Sequence, residues 1–114
     1  MRDPIPPGTL DMLILRTLAT SQEGQLHGFE IANAIETVSA NVFVVEEGSL
    51  YPALQRMVVQ GWIAGEWGRT ADNRRARYYH VTAAGRKHLE RAMKSYDRVS
   101  QAIAAILNLT PRGT

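Results

Sequence analysis

The chain has 114 residues, no cysteine, 45% hydrophobic residues and a formal net charge of +2. That length suits one domain with a single core, the missing cysteines remove disulfides, thiolate metal sites and thiol nucleophiles and suit a cytoplasmic protein, and no apolar run approaches the ~18 residues of a membrane-spanning helix. Charge is unevenly placed: residues 1–60 hold three basic against seven acidic side chains, and residues 61–114 hold ten against four. A one-sided positive field is what a polyanion binder presents; a merely solvated charged face is the alternative.

Residues 1–8, rich in proline and without the basic-then-apolar pattern of a signal peptide, read as a flexible arm. A first helix follows over 9–19, with Thr9 as cap and Leu10, Leu13, Ile14, Thr17 and Leu18 in one stripe. Met12 and Leu15 are apolar on another side, so the helix is to be covered twice, by its own core or by a partner subunit through Leu10 and Leu13. His27 to Glu36 reads as the second helix, with Glu30 as the N3 acid of a capping arrangement on His27 and with Phe29, Ile31, Ala32 and Ile35 as core. Residues 38–44 form a turn, in which Val42 to Val44 is short enough to add a third strand to a later hairpin.

The stretch from Val45 to Arg77 carries the most information. Acidic residues, Ser49 and Pro52 mark the entry of a third helix that Gly61 ends. Leu50, Leu54, Met57 and Val58 share its inner face, which leaves Ser49, Tyr51, Pro52, Gln55 and Arg56 outside. Residues 62–67 and 76–81 read as a hairpin whose loop, 68–75, holds Arg69, Asn73, Arg74 and Arg75. Arg77, on the returning strand, reads either as a phosphate contact or as a structural arginine paired with Glu66. Helix, turn, helix and basic hairpin make a mostly α (α+β) winged helix-turn-helix over 9–81 with a two-stranded β-wing. Helix three then enters the major groove of duplex DNA and the wing reaches the flanking backbone or minor groove.

Thr82 caps a last helix running over 82–109, ahead of a tail at 110–114. Leu89, Met93, Tyr96, Ser100, Ile103 and Leu107 recur in alternating steps of four and three, which is a coiled-coil seam. A second row, containing Val99 and Ile106, widens it. A helix this long has nothing within so small a chain to bury its distal half, so it predicts a homodimer. Glycine-rich phosphate loops, nucleophile elbows and metal-ligand spacings are missing, and His27, His80 and His88 lack acid partners in a metal motif. No enzyme activity, metal or cofactor is expected.

The run Val45-Glu46-Glu47-Gly48-Ser49-Leu50-Tyr51-Pro52-Ala53-Leu54-Gln55-Arg56-Met57, then Gly61 to Gly68, then Asn73 to Arg86, resembles the phenolic acid decarboxylase regulator (PadR) family of bacterial transcription factors, in its short single-domain form. Gly8 to Leu15 and His27 to Ile31 extend the likeness, which covers about Gly8 to Arg98. The apolar Met57-Val58-Val59 departs from the family's usual pattern. The resemblance implies a homodimeric DNA-binding repressor, often released from its operator by a hydrophobic or aromatic small molecule near the dimer interface. Trp62, Trp67 and Tyr96 are the candidate lining for such an effector, although tryptophans flanking a strand also read as wing core. A winged-helix module that binds an acidic protein surface instead of DNA is the competing reading.

Overall fold

The computed structural model describes residues 3–6 and 8–109. Met1, Arg2, Pro7 and the tail from residue 110 lie outside the described residues. In chain order the elements are β1 (Asp3–Pro4), α1 (Leu10–Thr20), β2 (Leu26–His27), α2 (Gly28–Val38), β3 (Phe43–Val44), α3 (Glu47–Val59), β4 (Ile63–Arg69), β5 (Arg75–Val81) and α4 (Ala83–Ile106).

The core lies where α1, α2 and α3 meet the base of the hairpin. Ile14, Leu15, Leu18, Ile31, Leu50, Leu54, Met57 and Ile63 are all fully buried there. Leu15, expected on a separate face of α1, is thus core, because α1 is enclosed by α2, α3, α4 and β5 of its own chain. Phe29 corrects the expected α2 core: it is 72% exposed. Residue 29 lies in the first turn of α2, and the inward positions of that helix fall at Gly28, Ile31 and Ile35 instead.

Two strand expectations change. Phe43–Val44 does not join the wing; it pairs in parallel with Asp3–Pro4, so residues 3–4 of the expected arm form a strand, and Ile5 packs on the core. The third wing strand is Leu26–His27, which pairs with Tyr79 and Tyr78 of β5, giving a sheet of order β2-β5-β4. The hairpin strands are also longer than expected, reaching Arg69 and starting again at Arg75.

Local chemistry sets the helix ends. Thr9 does not cap α1 through its side chain; its hydroxyl donates to the Pro6 carbonyl at 2.7 Å. His27 does cap α2: its Nδ1 accepts from the Glu30 N–H at 3.3 Å while the Glu30 carboxylate accepts from the His27 N–H at 3.1 Å, a reciprocal capping box. Glu46 holds the N-cap position of α3 without a side-chain cap hydrogen bond, and Glu46 and Glu47 place negative charge at the positive end of the helix dipole. At the other end of α3, Gly61 with φ +80° lets Trp62 N–H reach the Met57 carbonyl and Gly61 N–H the Val58 carbonyl, both at 3.0 Å. This is a Schellman stop, and it turns the chain directly into β4.

Thr82 caps α4 by accepting from the Gly85 N–H at 3.0 Å. Gly85 is required: a Cβ there would lie 2.0 Å from the Trp62 carbonyl oxygen. The 24 residues of α4 span about 36 Å.

Candidate nucleic-acid interface

Ser49, Tyr51, Pro52, Gln55 and Arg56 are all exposed on α3, opposite the buried Leu50, Ala53, Leu54 and Met57. Pro52, six residues into the helix, cannot donate to the Gly48 carbonyl; Gly48 is exposed, which leaves that group open to solvent. The entry to α3 is held from α2, where the Glu36 carboxylate accepts from the Val45 N–H at 2.9 Å. Tyr51 leans over the first residue of α2: a Cβ on Gly28 would meet its ring and hydroxyl at 2.8 Å. Arg56 is less available than its place on the outer face suggested, because its Nη2 sits 2.6 Å from Asp11 Oδ1 of α1.

The wing tip is a tight turn over residues 70–74. Thr70 N–H donates to the Arg74 carbonyl at 2.8 Å and Asn73 N–H to the Thr70 carbonyl at 2.9 Å. Asn73 adopts φ +64°, a left-handed conformation that asparagine tolerates, so its backbone shapes the turn, and its carbonyl accepts from Arg69 at 3.2 Å. Arg69 and Arg75 are directly paired across the strands, a like-charge arrangement that is unfavourable without an anion nearby. Asp72 compensates Arg74, at 3.4 Å. The Arg75 guanidinium stacks on Trp67 at 4.3 Å from the ring centroid. Arg77 is opposite Trp67, not Glu66, and no Arg77–Glu66 ion pair occurs among the described residues; the expected cross-hairpin pair is replaced by packing of Arg77 across Gly65.

Between the wing, the start of α2 and the outer face of α3 lies a cleft of about 770 Å³, lined among others by Tyr51, Gln55, Trp67, Arg75, Arg77 and Tyr79. It gathers half of the candidate DNA contacts, Tyr51, Gln55, Arg74, Arg75 and Arg77, onto one concave surface; Ser49, Pro52, Arg56, Arg69 and Asn73 are not among its lining residues. Sequence reasoning missed Gly28, Phe29 and Tyr79 as part of this surface. Only Tyr79 left a signal, through its alternation with Arg77 on one strand face. Tyr79 is buried, and burial pushes its phenol above the ordinary value of 10.0 against the lowering effect of Arg77.

The three aromatic residues expected to line an effector pocket are not brought together. Trp62 lies before β4 and stacks on His88 at 3.7 Å, with rings 13° from parallel. Trp67 is out on the wing, 61% exposed, and Tyr96 is about two helical turns beyond His88. The expected seam on α4 divides as well: Leu89 is buried in the chain's own core, whereas Met93, Tyr96, Val99, Ile103, Ile106 and Leu107 are exposed, from 39% at Met93 to 82% at Ile106. Leu10 and Leu13 are half-buried, and Leu13 borders an apolar groove with Val38 and Phe43.

The sequence matches the model of the transcriptional regulator PadR-like family over residues 14–91. The chain belongs to the PadR-like family. An uncharacterized protein of Lysinibacillus sphaericus is 30% identical to this PadR-like chain over 103 residues, covering 90% of this chain and 92% of that one. A transcriptional regulator from Clostridium thermocellum has a TM-score of 0.76 at 28% identity, over 86% of this chain and 92% of that one. Bacillus subtilis PadR, solved in complex with operator DNA, has a TM-score of 0.65 at 20% identity, over 78% of this chain and 48% of that one. The likeness to that complex is one of fold, and the PadR-like chain spans about half of its length. Exposed α3 and the arginine-bearing hairpin are therefore parts of the winged-helix fold of a PadR-like transcriptional regulator. Among the described residues, no cluster of three metal-ligating side chains occurs, and no helix is long and apolar enough to cross a membrane.

Proposed function

We propose that this PadR-like regulator is a cytoplasmic repressor that binds a palindromic operator as a homodimer and is released by a small-molecule effector. The observation that carries the reading is the placement of an exposed polar α3 face beside a wing whose Arg69 and Arg75 are paired without an intervening acid. Duplex phosphates supply the missing anion, with Arg74 and Arg75 positioning the protein and Gln55 and Tyr51 meeting base edges or the backbone. Arg69 and Arg77 add phosphate contacts; Ser49, Pro52, Arg56 and Asn73 extend the surface. The exposed apolar row from Met93 to Leu107 supports dimerisation through α4, because an apolar stripe of this length calls for a partner. Two α4 helices paired along it set the spacing of the two reading helices.

The test is fluorescence anisotropy of the purified protein with duplex DNA from immediately upstream of its gene, against a shuffled duplex, at two salt concentrations. The repressor reading expects sequence-selective binding that weakens steeply with salt. Equal binding to the shuffled duplex at both salt concentrations would turn attention to an acidic protein partner for the wing.

A further inference from the structure

We propose that the cleft between the wing and the α2–α3 corner is a binding site for a small aromatic phosphate, of the size of a nucleoside monophosphate. Its volume of about 770 Å³ falls within the ~300–1,000 Å³ range of small-molecule sites. Two guanidinium groups line it from one face of β5, Arg75 and Arg77, two residues and so ~6.6 Å apart along the strand. Both are held in place before any ligand arrives. Arg75 is stacked on Trp67 at 4.3 Å, and Arg77 lies across Gly65, where an added Cβ would come within 2.5 Å of its Nε.

Neither guanidinium has an acid opposite it, since Arg75 faces Arg69 and Arg77 faces Trp67; the nearby Asp72 is engaged with Arg74. The Arg77 Nε is buried and has no hydrogen-bond partner among the described residues, an arrangement that costs free energy until an acceptor arrives. Two uncompensated cations suit a phosphate monoester of charge about −2 better than a singly charged carboxylate. Elsewhere the cleft presents aromatic side chains beside Gln55, Thr70 and the Asp72–Arg74 pair. Phe29 and Tyr51, 72% and 44% exposed, offer ring faces on which a planar base stacks. A duplex phosphodiester brings charge to this cleft but no free ring, so the aromatic half fits a separate small molecule. Because Tyr51, Gln55 and Arg75 are also the proposed DNA contacts, ligand and duplex exclude one another; this last step rests on the DNA-reading function proposed above.

The first measurement is calorimetric titration of the full chain, without DNA, with adenosine 5′-monophosphate, adenosine and inorganic phosphate. The proposal expects the monophosphate to bind at least about tenfold more tightly than either fragment, one tenfold step being ~1.4 kcal/mol. Arg77→Ala and Arg75→Ala each weaken the monophosphate and leave adenosine unchanged. Gly65→Ala, which removes no charge but displaces the Arg77 guanidinium from its seat, weakens it as well; Arg77→Lys is the companion variant should Gly65→Ala fail to fold. Equal affinity for the monophosphate and inorganic phosphate, or no loss in Arg77→Ala, overturns the site. Adding the monophosphate to a labelled duplex complex then tests exclusion: displacement supports it, and unchanged duplex affinity under saturating ligand overturns it. Failure of the chain to bind any duplex, with the calorimetric result intact, counts against the DNA reading alone.

Discussion

Tyr51 of α3 rests on Gly28, the first residue of α2, so closely that a methyl group on Gly28 would sit 2.8 Å from the ring. Gly28 does not have the positive φ that reserves a position for glycine; the contact alone excludes a side chain. Gly28→Ala therefore combines a better helix former with a displaced Tyr51. Thermal stability is expected to hold within about 1 kcal/mol, while operator affinity falls severalfold in anisotropy titrations. Unchanged affinity would remove Tyr51 from the interface.

Replacing Arg74 and Arg75 together with alanine should weaken binding to all duplexes alike. If each arginine meets one phosphate, the slope of log affinity against log salt becomes shallower by ~1.8 per subunit. A slope equal to that of the unmodified protein would show that neither arginine neutralises DNA, and that Asp72 and Trp67 are their only partners.

Arg56 is bound to Asp11 at 2.6 Å, with the two side chains 49% and 25% exposed. A pair this open to solvent contributes at most ~1 kcal/mol to stability. Asp11→Asn should accordingly cost little in a melting experiment yet free a cation on the proposed reading helix, raising duplex affinity and steepening the salt slope by ~0.9 per subunit. A loss of affinity would instead mean that the ion pair sets the angle of α3 on α1.

Ile103 is half-exposed on the outward stripe of α4. Ile103→Asp places a charge in the proposed seam and should convert a dimer to a monomer in sedimentation velocity without loss of helical circular dichroism. A variant that still sediments as a dimer would move the interface elsewhere, the groove beside Leu13 being the next candidate.

The parts of this fold legible in the sequence were those written in periodicity and punctuation. The α3 stripe, the Gly61 stop and the Thr82 cap each depend on neighbours in the chain, and each can be read locally. What depends on pairing at a distance was not legible. Nothing in Leu26–His27 distinguishes it from Val42–Val44 as a wing strand, since two-residue bridges are selected by where the helices deliver the chain and carry too little pattern of their own. Phe29 has the apolar character of a core residue, but its place in the first turn of α2 turns it outward. In the candidate interface, the exposure of the wing arginines and of the α3 outer face was legible, but their individual ties, Arg56 to Asp11 and Arg77 across Gly65, join residues that the sequence separates and only the packed fold brings together.

The parallel pairing of Asp3–Pro4 with Phe43–Val44 has a practical corollary. It brings residues 3–4 alongside the segment that leads into α3, so an affinity tag or fluorophore fused ahead of residue 3 would emerge near the surface on which DNA is proposed to dock. If the proposed docking surface is right, a purification handle at that end would compete for space with the duplex and depress the affinity it is meant to help measure. Labels belong beyond α4, and any binding assay made with an amino-terminal fusion should be repeated after the fusion is cleaved.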